Sequence, residues 1–579
     1  MKTKQTLTTF FLATILMTTS CSTGSGGGGG GSSSSSTTTT TTSSTVTASE
    51  SKTVTFDSSN PSIEVGTSVK KLTINGLSGQ AGKAIYLAEV NNSSTDISLS
   101  NIRYVTAVSG ITTPVYTSSD ISAESTLFSD MQNGSLCSDV LDVDENAVSE
   151  PFSRTANYDS VVRTYNIGET KTIMNPESSA SMTVKLLAKS GVAYVWGSTT
   201  DNYTESNFTK ADLLCQRFSD VYVLDRTVFG SEPNVMFSSN SATSTVSIES
   251  ISDTGTMVNI VLYKMSDTTM GLFSRNDFYN NSTSNKGKYF YLNSYQAQNA
   301  TNEITLTMAH EFTHMIQFNQ KIIGRVASGK TALSFPTAYV EMMADIAKDL
   351  VANYFEIGDT ENAKTRFKTF NSSYFTVGMT GYDSSNYYYA TNFAFGAWLC
   401  RNYGGARLAK EIMQNDSEGD DSIVAAVNSL NGTNYTMAQL IAQFVQAITA
   451  SGSQYTLNKA VSASVVCPGT SLSSGADYNY TQSAINVFDL SSVYGSSVPT
   501  NQYQRFSMNG PLLMPATSQM KSFYNTFTSL KGSHGVSLHK IGTVSDGASS
   551  AVITFSETGS SSLTMYVIIG ENRNIYGER

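Results

Sequence analysis

Histidine is scarce in this chain, four among 579 residues, and two of the four stand four positions apart in Met308-Ala-His-Glu-Phe-Thr-His-Met315. On an α-helix, residues at that spacing share one face, about 6 Å apart. The apolar residues Ile304, Met308, Phe312, Met315 and Ile316 recur around the pair with helical period. The stripe they form leaves both histidines off it. The segment therefore reads as a helix that buries one side in a core and turns two imidazoles elsewhere.

Two imidazoles so placed reach one metal ion. Glu311, beside the first histidine, touches a water at that metal without being a ligand, so little more than one turn supplies two ligands and a general base. Catalytic zinc usually takes three protein ligands and keeps one position open. His534 and His539 fall in a predicted C-terminal β region, so a carboxylate from the next helix is better placed. Tyr339-Val-Glu-Met-Met-Ala-Asp-Ile-Ala-Lys-Asp349 supplies it. Glu341 is the expected third ligand, because a carboxylate between Val340 and Met342 in an apolar turn needs a partner. Asp349 and Glu356 are its rivals. Asp345 lies at i+4 from Glu341, on the same face, where it can orient a metal-bound imidazole; a plain surface charge is the alternative reading. The expected cofactor is one Zn2+ ion on His310, His314 and Glu341.

The start of the chain reads as an export signal. Lys2 and Lys4 precede a short apolar run, Phe10 to Met17, too short to span a membrane. Thr18, Thr19 and Ser20 then lead into Cys21, as in a bacterial lipoprotein signal whose cysteine is lipidated, although Leu is more usual where Thr18 stands. An ordinary cleaved signal is the alternative. The expected location is a bacterial cell surface or the periplasm with a lipid anchor in the membrane, otherwise secretion. Residues 21–50 are almost wholly Gly, Ser and Thr, a composition that cannot bury enough surface to fold and suits a tether.

Over the whole chain 39% of residues are apolar, which excludes disorder throughout, and a net charge of -10 without a basic run argues against nucleic acid as a partner. Short alternating runs over 51–154 predict a β-sandwich-like domain. Residues 155–455 carry strand patterns at Met182–Leu187, Val192–Trp196, Val258–Tyr263 and Tyr289–Leu292, then mainly helical ones. Thr436-x-x-Gln439 opens the last helix as a capping box. Residues 456–579 return to alternating runs, a C-terminal β-rich domain. The fold class expected is α+β and multidomain. Cys137, Cys215, Cys400 and Cys467 match no zinc spacing; they form two disulfides or stay buried thiols.

The segment Thr307-Met-Ala-His-Glu-Phe-Thr-His-Met-Ile-Gln-Phe-Asn-Gln320 resembles the active helix of the hyicolysin family of metallopeptidases, within the thermolysin-like gluzincins. Ile260-Val-Leu-Tyr-Lys, Gly271-Leu-Phe, Asp277-Phe and Lys288-Tyr-Phe-Tyr-Leu292 resemble the strands before it. Thr337-Ala-Tyr-Val-Glu341 resembles the third-ligand segment, with Tyr339 and Val340 where a tryptophan and an asparagine are more usual, and Tyr389-Ala-Thr-Asn-Phe-Ala-Phe395 through Gly404 resembles a downstream helix. The likeness covers roughly residues 180–450. It implies a zincin-like catalytic domain with a β-sheet subdomain and a helical subdomain, and a zinc endopeptidase acting on polypeptides. In such enzymes a tyrosine or histidine stabilises the oxyanion. With no spare histidine nearby, Tyr387, Tyr388 and Tyr389 are candidates, and the family-like spacing back from Gly404 selects Tyr389. The strand Tyr289–Leu292 is expected to edge the cleft and pair with an extended substrate. Two other readings stay open: a surface adhesin with a vestigial peptidase core, and a zinc hydrolase acting on a non-peptide bond.

Overall fold

A computed structural model describes residues 50–114, 164–201, 208–238, 247–251, 255–266, 269–357, 363–383, 387–490, 508–517, 527–557 and 559–573. The signal, the tether, Cys21 and Cys137 lie outside these residues. The architecture is mixed α and β with several sheets.

The middle of the chain builds a six-stranded sheet from β1 (Thr170–Met174), β2 (Ser181–Lys189), β3 (Ala193–Ser198), β4 (Val258–Tyr263), β5 (Gly271–Leu272) and β6 (Tyr289–Asn293). Its order is β5-β6-β4-β3-β2-β1. Strands β3, β4 and β6 run parallel, and β5 closes one edge antiparallel to β6. Every residue of β3, β4 and β6 is buried, as strands covered on both faces must be. One face carries an aromatic cluster that includes Tyr194, Trp196, Tyr263, Tyr289 and Tyr291.

The helices that matter for the site are α1 (Ala211–Phe229), α2 (Thr301–Phe318), α3 (Thr337–Ala352), α4 (Ala363–Ser373), α5 (Tyr387–Tyr403) and α6 (Met437–Thr449). Phe218 and Tyr222 of α1 pack on Phe312 of α2, on the side away from the histidines. All sixteen residues of α3 are buried, so it is the central helix, and each of its acidic groups needs a partner. Helix α6 starts with the capping box read from the sequence: Thr436 accepts from the Gln439 amide, and Gln439 reaches back to the Thr436 amide.

The two flanking β domains expected from the sequence are one. In one sheet the order is Ser51–Thr55, Lys71–Asn75, Ser550–Phe555, Val105–Ser109. In another, Ala84–Asn91 lies between Gly535–Val544 and Leu563–Gly570, with Ser62–Val65 beyond. The strand Ala84–Asn91 is buried at all eight positions and so requires a neighbour on each side; both neighbours come from the far end of the chain. The boundary at 455 also shifts. The hairpin Val461–Cys467 with Tyr478–Gln482 belongs with the helices: the Tyr480 hydroxyl donates to Leu224 O on α1, and the Tyr478 hydroxyl to Leu350 O on α3. Cys215, Cys400 and Cys467 are buried free thiols. Among the described residues, no helix is long and apolar enough to cross a membrane.

Candidate metal centre

Helix α2 carries both histidines on the side facing α3, and α3 turns Glu341 toward them. His310 Nε2 lies 3.2 Å from Glu341 Oε2, and His314 Nε2 lies 3.7 Å from the same oxygen. The imidazoles stand perpendicular, centroids 4.5 Å apart. Ligand atoms held about 2.0–2.2 Å from one tetrahedral ion stand roughly 3.3–3.6 Å apart, so the separations suit a shared ion. One ligand atom from each of His310, His314 and Glu341 lies within 4.8 Å of the others, and all three residues are buried. Neither ring nitrogen of His314 has a hydrogen-bond partner among the described residues. A buried imidazole nitrogen whose lone pair has no partner costs free energy unless something takes that lone pair, and a metal ion does. Burial, and then the nearby His310 and Arg275, hold His314 well below the usual imidazole range, which keeps it in the neutral form that ligates.

Asp345 sits behind His310. Its Oδ1 is 3.2 Å from His310 Nδ1, which leaves Nε2 directed at Glu341. Arg366 Nε on α4 lies 3.1 Å from Asp345 Oδ2, and Lys348 Nζ lies 3.4 Å from Oδ1. Burial by itself raises the Asp345 carboxyl. Arg366, Lys348 and the contact with His310 outweigh it and hold the carboxyl well below the ordinary range. Asp345 is thus a buried carboxylate with three partners and not a surface charge.

The rivals to Glu341 are engaged elsewhere. Asp349 pairs with Arg401 Nη1 at 2.9 Å and accepts from Gln482 Nε2 at 2.5 Å. Glu356 is exposed, in the turn after α3. His534 and His539 lie in the β unit formed by the two chain ends.

Glu311 is 1% exposed, next to the histidine pair on α2. Strand β5 crosses close to it. A Cβ built on Gly271 meets Glu311 Oε1 and Thr307 Cγ2 at 2.7 Å, so only glycine lets the strand pass this near. Phe273, just beyond β5, stacks on His314 with centroids 6.4 Å apart. The sheet edge beside the site is therefore β5. The sequence reading assigned that role to Tyr289–Leu292, but β6 is interior, paired with β4 on one side and β5 on the other.

Tyr387, Tyr388 and Tyr389 open α5. Tyr388 and Tyr389 are buried and stacked, centroids 4.3 Å apart. The Tyr389 ring lies under the Arg366 guanidinium at 4.8 Å, so it supports the cation behind Asp345. Burial and then the charge of Glu341 push the Tyr388 phenol up. Sequence reasoning missed Arg366, Lys348 and Phe273 as neighbours of the centre. Gly271-Leu-Phe was visible as a motif, whereas Arg366 carried no signal.

The residues His310, His314 and Glu341 form a buried group able to hold a metal ion, with Glu311 beside it and Asp345 behind it. Neither protein-family models nor curated proteins match this chain.

Proposed function

We propose that the protein is a zinc-dependent endopeptidase, exported and held at a membrane through lipid on Cys21. The observation that carries the reading is the convergence of His310, His314 and Glu341 beside a carboxylate, Glu311, that is not one of the three. Two imidazoles and one carboxylate are a donor set suited to catalytic zinc with one position left open. When bound, zinc polarises the scissile carbonyl and acidifies water. Glu311 takes a proton from the attacking water and delivers it to the leaving amine. Asp345 holds the ring of His310 in one orientation. Of the stacked pair Tyr388 and Tyr389, Tyr388 is taken as the donor to the developing oxyanion, because the Tyr389 ring is engaged beneath Arg366. The edge strand β5 offers backbone groups to an extended peptide. The resemblance to hyicolysin-type peptidases supports the same chemistry; the signal-like start and the Gly/Ser/Thr run support export and anchoring.

The test is elemental analysis of purified protein followed by incubation with a mixed peptide library, with and without chelator. The reading requires one zinc per chain and cleavage that chelation stops. Zinc-loaded protein that leaves every peptide intact sinks it.

A further inference from the structure

Between Arg366 of α4, which pairs with Asp345, and the tyrosines of α5 lies Val377, which packs against Tyr388 and Tyr389. Along the way this stretch is held by the C-terminal part of the chain. The Leu512 amide donates to Asn371 O at 2.7 Å, and Asn371 Nδ2 donates to Val487 O at 3.1 Å. The Tyr374 hydroxyl donates to Leu512 O at 2.8 Å and accepts from the Leu538 amide at 3.1 Å. Further on, the Met379 and Thr380 amides donate to the carbonyls of His534 and Ser533, both at 3.2 Å.

The turn that receives them is unusual. Ser533 and His534 both adopt positive φ, 52° and 64°, a conformation that non-glycine residues occupy at a cost. The turn is itself tied down: the Gly532 amide donates to Asp96 Oδ1 at 2.9 Å, and the Ser533 and His534 amides donate to Ser93 O and Asn91 O. The His534 ring sits between Asn92 Oδ1 at 3.2 Å and Asp420 Oδ2 at 3.1 Å, so it joins the β unit to the helical part. Gly378 presses on the turn so closely that a Cβ there falls 2.1 Å from Gly532 O and 2.2 Å from Ser533 O. Two strained residues, four backbone–backbone hydrogen bonds, one from a backbone amide to Asp96, and a glycine without room for a methyl group converge on this contact.

We infer that the Gly532–His534 turn is a positioning device for the metal centre: by gripping Gly378–Thr380 it holds Val377 against Tyr388 and Tyr389, and hence the Tyr389 ring beneath Arg366, the partner of Asp345. The inference rests on the peptidase reading for its catalytic consequence and on the geometry alone for its structural one. It assigns the β unit, made from both ends of the chain, a part in the site.

Gly378→Ala in the full chain tests it, with Ile553→Ala, a buried position in strand Ser550–Phe555 remote from the turn, as a control for general loss of stability. Gly378→Ala should retain its metal, lose protection from hydrogen exchange at the amides of 387–395 by about tenfold or more, and lose kcat on the order of 100-fold with little change in KM. Ile553→Ala, at an equal or larger drop in melting temperature, should leave both readouts near wild type. Equal protection at 387–395 in wild type and Gly378→Ala overturns the inference, as does a kcat loss matched by Ile553→Ala. If zinc-loaded wild type cleaves no peptide, the peptidase reading fails and the exchange comparison alone decides the latch. Should Gly378→Ala not fold, Tyr374→Phe keeps the ring while removing the hydroxyl that bridges Leu512 and Leu538, and it should move both readouts the same way by a smaller factor.

Discussion

His310 is held from both sides of its ring: Nδ1 lies 3.2 Å from Asp345 Oδ1, and Nε2 lies 3.2 Å from Glu341 Oε2. The two carboxylates are one turn apart on α3 and divide the labour, one orienting the imidazole and the other sharing its ion. Removing the orienting group should weaken the metal without abolishing it. Asp345→Asn is expected to lower metal affinity about 10- to 100-fold, measured by competition with a chromophoric chelator. It also leaves Arg366 and Lys348 without their carboxylate beside a cationic centre. Unchanged affinity would make Asp345 a packing residue only.

Glu341 and Asp349 are both buried carboxylates on α3, yet their substitutions should separate. Glu341→Ala should lose most of the bound metal. Asp349→Ala should keep the metal and lose stability, about 3–5 kcal/mol, because Arg401 is left buried with its charge unpaired. Metal content and urea unfolding of the two variants report this directly. Full metal retention in Glu341→Ala would move the third ligand elsewhere.

The adjacent tyrosines of α5 should also behave differently. Tyr388→Phe removes the proposed oxyanion donor, and loss of one such donor costs about 2.7–4 kcal/mol, or roughly 100- to 1,000-fold in kcat. Tyr389→Phe keeps the ring beneath Arg366 and should change kcat little. The opposite order of effects in steady-state kinetics would restore Tyr389 as the donor.

Asp277 supplies a pH test away from the metal. Burial pushes its carboxyl up to about 7 from an ordinary 3.8, although the Tyr291 hydroxyl and the Asn285 amide donate to it. The folded state therefore binds more protons than the unfolded state between those two values. The stability contributed by Asp277 is full below about 3.8 and is lost as pH rises toward 7. Relative to wild type, Asp277→Asn should gain stability between about pH 4 and pH 7, by a few kcal/mol at about 1.4 kcal/mol per pKa unit. A difference that stays constant across that range in urea unfolding contradicts the assignment.

Local patterns carried much of this molecule. The spacing of His310 and His314, the apolar turn around Glu341 and the capping box at Thr436 each depend on residues within one or two helical turns, and the structure has all three in place. Pairing over long distance has no such signature. Alternating runs near Ala84 and near Leu563 say that strands exist, not that Ala84 will lie opposite Gly570. The choice between Tyr388 and Tyr389 is a rotation of about 100° on a helix, which a count back from Gly404 does not resolve. The interior place of β6 was legible in principle: Tyr289-Phe-Tyr-Leu is an unbroken apolar run, the mark of a strand covered on both faces. Arg366 lies in a helix of low hydrophobicity, and nothing nearby in sequence shows that it turns inward to Asp345.

The most direct measurement compares wild type with Glu311→Gln at equal zinc content, using peptide hydrolysis followed by mass spectrometry. Glu311 touches the attacking water in this account and is not one of the three metal-holding residues. The variant should therefore bind zinc and unfold like wild type while its hydrolysis falls by several orders of magnitude, as expected when the general base is removed. A zinc-loaded Glu311→Gln that cleaves peptides at near wild-type rate would contradict the account.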